Sequence, residues 1–272
     1  MTDYRPLFGS GIIDCNSFIG HWPFRRLRRN TAAELVAMMD QFGIWKSCVA
    51  SAEAILYRDS HEGNRALYEQ TREHADRFWL YATINPMYAG WERDLAQCVD
   101  WGFRAVRLYP VFHNYRLDSP EADRIVRAAH EAGLPVAISC RVEDVRQRHW
   151  MDRFEDVDPL DVLGLAEAHP DTRFILMESL LGWPHDADEW RRLRDTQVYV
   201  EMSRMTALME RPLEIMTWEL GDDRVLFGTG FPFKTPSPAF LELQVLDADE
   251  DAKARIAGEN VRRLMDPEAG KG

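Results

Sequence analysis

The chain has 272 residues, of which 46% are hydrophobic and 29% charged, so it can bury a large core in one or two domains. A formal net charge of −12 repels nucleic acid and anionic membrane surfaces, which excludes both as expected partners. The cysteines lack metal-type pairing, the first residues lack a signal-peptide pattern, and no apolar run approaches the roughly 20 residues of a membrane span. These observations predict a soluble, cytoplasmic protein.

Apolar, β-rich segments alternate along the chain with segments of helical spacing, which is the pattern of a parallel α/β fold. The strand candidates are, in chain order, GIIDCNSF, KSCVASA, FWLYATIN, FRAVRLY, PVAISC, RFILMES, QVYVEMS and RVLFGTG. Amphipathic runs separate them, among them TAAELVAMMDQF, NRALYEQTREHA, WERDLAQCVDW and ADRIVRAAHEAG. Eight such units in about 250 residues predict a single-domain (β/α)8 TIM barrel over residues 1–272, with frayed ends at about 1–9 and 266–272. The competing fold is a doubly wound sheet, but no Gly-rich dinucleotide motif follows the first strand.

Catalytic groups of such a barrel lie at the carboxyl ends of the strands and in the loops that follow them. These positions are rich in arginine and carboxylate. They carry Asp14, Asn16, His21, Glu53, Arg58, Asn85, Arg107, Tyr109, His113, Ser139, Cys140, Arg141, Glu143, Asp144, Glu178, Glu201, Ser203, Arg204, Thr229 and Gly230.

Several of these segments resemble the amidohydrolase-related family of metal-dependent hydrolases and decarboxylases, and the likeness runs nearly end to end. IIDCNSFIG resembles the first-strand Asp-x-His-x-His followed by Gly, and GFRAVRLYP is similar to the fourth strand. HPDTRFILMES resembles the sixth strand, RVLFGTGFPF the eighth, and AGENVRRLM the closing helix. The resemblance implies the family's barrel and an active site at its mouth.

Carried over position by position, the resemblance implies a metal site that has lost its ligands. The family's ligand positions hold Asn16 and Phe18 in strand one, Ser139 or Cys140 in strand five, Glu178 near the strand-six His, and Gly230 at the strand-eight Asp. Strand alternation places Asp14, Asn16 and Phe18 on one face, yet Phe cannot ligate and an Asn carbonyl is a poor zinc ligand. We predict no metal and no cofactor. A site rebuilt from His21, Glu178 and Cys140 is the alternative.

Arginine is the natural replacement for the metal as an electrophile. In FRAVRLY, the alternation points Ala105, Arg107 and Tyr109 into the barrel, where Arg107 contacts either an anionic substrate or a protein carboxylate. Arg141 and Arg204 follow strands five and seven and are candidate second and third anion contacts. The alternative for both is a solvated surface position, and neighbouring Glu143 and Asp144 could neutralise Arg141.

The candidate general acids and bases are Glu178, Asp14 and His21, because each is expected near the mouth of the barrel. Glu178 ranks first because it alternates with the apolar Phe174 and Leu176, an environment that raises a carboxyl pKa unless an arginine pairs with it. The alternatives are a structural ion pair for Glu178, a strand anchor for Asp14 and a packed loop residue for His21.

The remaining candidates would shape the substrate pocket. Asn16, Tyr109, His113 and Trp22 are predicted to line it, with His113 in a lid and Trp22 in an aromatic wall. The resulting hypothesis is a hydrolase that acts without a metal on a small anionic metabolite, preferably a lactone or ester, for which the family offers a metal-independent lactonase as precedent. The alternatives are a metal-free decarboxylase or lyase and a catalytically silent metabolite-binding barrel. A homo-oligomer is possible by family habit.

Overall fold

A computed structural model describes residues 11–179, 183–206 and 211–266. Their parallel strands follow one another around a single sheet in chain order, which confirms the predicted (β/α)8 TIM barrel. The strands are β1 Ile12–Ile19, β2 Ile44–Ser51, β3 Phe78–Thr83, β4 Ala105–Leu108, β5 Val136–Ser139, β6 Phe174–Met177, β7 Val198–Glu201 and β8 Val225–Leu226. The predicted frayed ends lie outside the described residues, except for Asp266.

Helices alternate with the strands and form the outer layer. They are α1 Ala32–Phe42, α2 Ser60–Thr71, α3 Trp91–Asp100, α4 Pro110–His113, α5 Pro120–Glu131, α6 Pro159–Ala168, α7 Ala187–Asp195, α8 Pro212–Leu220, α9 Ser237–Val245, α10 Glu250–Ala254 and α11 Asn260–Met265. A π-helical turn, Arg255–Glu259, joins α10 to α11. Thr31 begins α1 with a complete capping box, the local sequence signal that starts a helix there. Within the described ranges, no helix combines the length and the apolarity needed to cross a membrane.

Backbone hydrogen bonds beyond the short β8 join the last strand segment to the first. Cys15 N–H donates to Phe227 O at 2.9 Å, Gly230 N–H to Asn16 O at 2.8 Å, and Phe18 N–H to Phe231 O at 2.8 Å. The loop that follows β8 is therefore fixed against the end of β1, and both reach the carboxyl end of the barrel together.

The core has two layers, one inside the barrel and one between the sheet and the helices. On β4, Ala105 and Tyr109 belong to the interior cluster and Val106 and Leu108 to the outer cluster, which confirms the predicted inward orientation of this strand's odd-numbered residues. Arg107 lies between Ala105 and Tyr109 and is fully buried. A regular strand therefore delivers a cation to the inside of the barrel.

Strand alternation fails on β1. Ile13, Cys15 and Phe18 belong to the interior cluster, and the register with β2 shifts between Asp14 and Ser17. The prediction that Asp14, Asn16 and Phe18 share one face is wrong, because the irregular pairing inserts a residue into the alternation.

The predicted environment of Glu178 is wrong for a related reason. Phe174 and Leu176 pack in the outer cluster, whereas Ile175 and Met177 face the interior. Glu178 follows the end of β6 with φ of 50°, a left-handed conformation that interrupts the alternation. This turn directs a side chain that the pattern places outward into the interior network described below.

Candidate active site

Arg107 is the centre of a buried polar network at the carboxyl end of the barrel. Its Nε donates to Ser139 Oγ at 3.0 Å, its Nη1 to Asn16 Oδ1 at 3.0 Å, and its Nη2 to Glu178 Oε1 at 2.5 Å. The guanidinium carbon also lies 4.5 Å from the centroid of the Phe18 ring. The structure therefore favours the structural ion pair for Arg107 over the predicted substrate contact, because the guanidinium is fully buried and each of its nitrogens is engaged.

Asn16 bridges the two carboxylates of the network. Its Nδ2 donates to Glu178 Oε1 at 2.9 Å and to Glu201 Oε2 at 3.0 Å, while its Oδ1 accepts from Arg107. The predicted role of Asn16 as a substrate contact is not supported, because its amide is buried and its donor and acceptor are both used within the protein.

The two carboxylate oxygens of Glu178 differ in their hydrogen bonding. Oε1 accepts from Arg107 and Asn16, whereas the buried Oε2 has no hydrogen-bond partner among the described residues. The backbone N–H of Glu178 donates to Glu201 Oε2 at 3.1 Å, which fixes the strand end on which the side chain sits. A carboxylate oriented through one oxygen and unsatisfied at the other is well placed to accept a proton from a bound molecule.

Glu201, at the end of β7, is one of the strand-end residues to which the sequence pattern assigns no role. Both of its oxygens accept hydrogen bonds, from Ser203 and Asn16 and from the Glu178 backbone. Burial, followed by the nearby negative charge of Glu178, raises the pKa of Glu201 to about 7. Glu201 is therefore protonated in a substantial fraction of molecules at neutral pH.

Gly228 makes room for Glu201. A Cβ at position 228 would lie 2.7 Å from the Cδ and 2.8 Å from the Cγ of Glu201. Because Glu201 is fully buried and hydrogen bonded at both oxygens, it has no space into which it can retreat. Glycine is therefore required at position 228, because any larger residue would clash with Glu201 on the neighbouring strand β7.

The titration of Glu201 predicts a stability difference that depends on pH. Because the folded-state pKa, about 7, exceeds the ordinary value of 4.5, the contribution of Glu201 to folding is complete below about pH 4.5 and is lost as the pH rises through 7. Between pH 5 and 8, we expect the free energy of unfolding of wild type to fall by roughly 2–3 kcal/mol relative to that of Glu201→Gln. Urea unfolding measures this difference.

Comparison with the variant cancels the other groups whose protonation changes over this range. Direct carbon NMR titration of the glutamate carboxyl groups gives the same pKa without a substitution, should Glu201→Gln fold poorly. Unfolding free energies that stay parallel from pH 5 to 8, together with no carboxyl titrating near pH 7, would contradict the assignment.

Asp14 joins β1 to the segment after β8 through side-chain hydrogen bonds. Oδ1 accepts from the N–H groups of Asn16 at 3.0 Å and Thr229 at 2.9 Å, and Oδ2 accepts from Ser17 Oγ at 2.7 Å and Thr229 Oγ1 at 2.6 Å. Its pKa is raised by burial, and these four bonds partly offset that effect. The structure favours the strand anchor over the predicted general acid or base, because both oxygens are occupied.

A cavity of about 190 Å³ lies at the same end of the barrel, and none of its described lining residues belongs to the Arg107 network. Arg204 and Lys234 contribute cationic side chains, and Arg141, Asp144 and Phe233 also line it. Lys234 Nζ donates to the backbone oxygen of Ser203, which places the ammonium group next to the residue that hydrogen bonds Glu201.

The cations of the cavity differ in how far protein groups engage them. Arg141 forms an ion pair with Asp156, so its predicted substrate contact is not supported, and the neutralising group is neither Glu143 nor Asp144. Arg204 is buried, and its Nη2 donates to the backbone oxygens of Arg141 and Val142 at 3.2 and 3.0 Å. Its Nε has no partner among the described residues. Its Nη1 lies 3.9 Å from Asp144 Oδ2, so protein groups engage Arg204 only in part, and its anion contact stays a prediction.

Four other candidates do not join the network. His21 has an exposed position, and its backbone N–H donates to Glu53 Oε1 at 3.0 Å. Trp22 is buried and its Nε1 donates to Glu143 Oε2 at 3.0 Å, so it supports the mouth instead of forming an open wall. Tyr109 is buried in the interior cluster. His113 is buried on α4, which lowers its pKa to about 4 and opposes the predicted lid role.

The barrel, with its polar network at the carboxyl ends of the strands, defines a TIM-barrel protein whose site occupies the face used for catalysis. The chain belongs to the amidohydrolase family, whose sequence model matches residues 19–266. Its structural neighbours include decarboxylases and a probable hydrolase. A search of curated proteins found no match.

Solved structures with the same fold share little sequence with the chain. A 2,6-dihydroxybenzoate decarboxylase from Rhizobium is 18% identical, with a TM-score of 0.71 over 94% of this chain and 98% of that one. A dihydroxybenzoic acid decarboxylase from Polaromonas, with bound manganese, is 18% identical, with a TM-score of 0.71 over 94% and 96%. A probable 2-pyrone-4,6-dicarboxylic acid hydrolase from Acinetobacter baumannii, with citric acid bound, is 12% identical, with a TM-score of 0.70 over 94% and 99%.

The donor set of this site does not fit a divalent cation. Asn16 presents amide N–H groups to Glu178 and Glu201, and the Arg107 guanidinium already supplies a positive charge to Glu178. In the parts of the chain that the structure describes, no group of three His, Cys, Asp or Glu side chains is arranged to hold a metal. The rebuilt site is not assembled, because Cys140 packs in the outer cluster and His21 is exposed.

Proposed function

We propose that this protein is a hydrolase that acts without a metal on a small anionic substrate, preferably a lactone or an ester. The observation that carries the proposal is the buried Glu178–Glu201 pair, which is linked through Ser203 to Lys234. Lys234 and Arg204 both line the cavity of about 190 Å³. A carboxylate of the pair can move a proton, and the two cations can bind negative charge. Acyl transfer requires both of these functions.

Arg204 and Lys234 would bind the substrate anion. The Lys234 ammonium group donates to one backbone oxygen and has further N–H donors to offer, and Arg204 has its free Nε. Desolvation lowers the pKa of Lys234, and the nearby Arg204 charge lowers it further, so an incoming anion relieves an unfavourable cation pair. The same donors would stabilise the oxyanion that forms on the reacting carbonyl.

Glu178 would serve as the base. Its Oε2 accepts a proton from water while the water oxygen bonds to the acyl carbon and the carbonyl electron pair moves to oxygen. The tetrahedral intermediate then collapses, the acyl C–O bond breaks, and the alkoxide takes the proton back from Glu178. One water is consumed and a hydroxy acid is released from a lactone. Glu201 acts as a positioning residue, because it holds the Glu178 backbone and Asn16.

An ester or lactone suits this machinery better than an amide. Without Lewis-acid assistance, a substrate with a more electrophilic carbonyl and a better leaving group loses less rate. The second candidate is a decarboxylase, favoured by one observation: Glu201, with a pKa of about 7, holds a proton near neutral pH that could be passed to a carbanion.

The two reactions release different products, so one assay separates them. A panel of lactones and esters of dicarboxylic acids, with hydroxybenzoates added, is incubated with protein of measured metal content, and acid release and carbon dioxide are recorded together. We expect one equivalent of acid per turnover, no carbon dioxide and no effect of a chelator. Carbon dioxide without acid would establish the decarboxylase, and activity removed by chelator and restored by a metal would refute metal independence.

A further inference from the structure

A second, larger cavity of about 710 Å³ opens beside the first. The loop after β1 lines it with Arg25, Arg26, Arg28 and Arg29. Gln147, Phe233 and Lys234 line both cavities, so the two are adjacent and Lys234 lies on their shared border. We call the larger cavity, with these four arginines, the arginine groove.

Most of the positive charge in the arginine groove lacks an ion-pair partner among the described residues. Arg25 pairs with Glu143 and donates to the Phe233 backbone oxygen at 3.0 Å. Arg26, Arg28 and Arg29 are exposed, and the described part of the chain offers none of them an ion pair. In a chain of net charge −12, carboxylates are plentiful, so cations gathered without them form a local positive potential that attracts anions.

The loop that carries these arginines is held at several points. Gly20 N–H donates to Asn30 O, and Asn30 Nδ2 donates back to Gly20 O, each at 2.8 Å. Leu27, between the arginines, is buried at 4% exposure. The arginines therefore project from a fixed backbone, which reduces the entropy lost when they engage a ligand.

Apolar residues make up just over half of the remaining lining of the arginine groove, and Gln41, Gln147, Lys234, Thr235 and Ser237 make up the rest. Met38, Phe42, Phe231 and Phe233 contribute to the apolar part, together with three prolines between residues 232 and 238. The volume lies within the range of about 300–1,000 Å³ that is typical of small-molecule sites. The apolar part of this lining, with cations at one side, suits a ligand that has an apolar body and a multiply charged anionic end.

We propose that the arginine groove binds the remote end of the substrate, an apolar segment that ends in an oxyanion group of two or more negative charges, either a phosphate or a polycarboxylate. This inference rests on the proposed function for the position of the reacting ester, which lies in the smaller cavity beyond Lys234. It narrows the substrate class from a small anion to a molecule charged at both ends.

Titration calorimetry with pyrophosphate and with citrate tests the groove without requiring turnover. We expect binding that is weakened about tenfold by Arg26→Ser/Arg28→Ser, because each of the two exposed contacts contributes up to about fivefold in affinity. The matched control is Arg72→Ser/Arg104→Ser, which removes the same charge from exposed positions just before β3 and β4, at the opposite end of the barrel. The control should bind as wild type.

Each outcome of this titration decides the proposal. Preference for pyrophosphate or for citrate identifies the phosphate or the carboxylate source, and either supports the groove. No binding, equal affinity in Arg26→Ser/Arg28→Ser, or an equal loss in the control would overturn it. Glu178→Gln, which lies outside the groove, should retain anion binding. If wild type binds these anions but turns over no ester or lactone, the proposed hydrolase is rejected and the proposed binding site in the groove is retained.

Discussion

Replacing Glu178 with Gln is expected to lower turnover by roughly a hundredfold to ten-thousandfold, the usual contribution of a general base. The substitution keeps a carbonyl oxygen to accept from Arg107 and Asn16, and it removes the proton-accepting Oε2. Binding of a non-reacting anion should change little, since Arg204 and Lys234 are untouched. The measurement compares kcat with the dissociation constant of an inert substrate analogue.

The matched control for this substitution is Glu242→Gln. Glu242 is a buried carboxyl on α9, outside the site, whose pKa is also raised by burial. It should leave kcat unchanged. Full activity of a folded Glu178→Gln protein would end the proposal that Glu178 is the base, and an unfolded variant would show a structural role instead.

Removing the Arg107 guanidinium is expected to destabilise the protein by about 3–5 kcal/mol, because Glu178 is left as a buried charge without its partner. Arg107→Met keeps much of the side-chain volume but removes the hydrogen bonds to Ser139, Asn16 and Glu178. Urea unfolding followed by circular dichroism gives the free-energy difference.

The double variant Arg107→Met/Glu178→Gln should recover part of this loss, since neither buried charge remains. Arg104→Met supplies the control, at an exposed position just before the same strand, with an expected change within about 0.5 kcal/mol. A loss below about 1 kcal/mol in Arg107→Met would be incompatible with an ion pair that holds the site together.

Regular backbone was the part of this site that the sequence predicted well. The alternation of FRAVRLY correctly placed Arg107 inside the barrel, because β4 is an unbroken strand with a period of two. The position of Glu178 at a strand end was also correct. Its orientation was not, because the positive φ at this residue depends on tertiary contacts and has no local signature such as glycine.

Contacts between distant loops were not predictable. Arg141 was weighed against its neighbours Glu143 and Asp144, yet its partner is Asp156, beyond a stretch without regular structure. Lys234 enters the site because its backbone N–H bonds to Gly230 O at 2.9 Å in the turn after β8.

Glu201 carried one sequence signal, a carboxylate closing the apolar run VYVE at a strand end. The role of Glu201 depends on its contact with Glu178, which comes from the adjacent strand β6. That contact follows from how β6 and β7 end, which residue types alone do not determine.

The buried Arg107 has a consequence for the electrical balance of the site. A guanidinium keeps its charge throughout the pH range in which proteins fold. With Glu178 ionised, the cluster is neutral while Glu201 is protonated and carries one negative charge once that proton leaves. An arriving anion favours the neutral form, so anion entry and proton uptake are linked near the Glu201 pKa of about 7. The proposed anionic ligand would thus be taken up together with a proton, and its affinity would rise as the pH falls through 7.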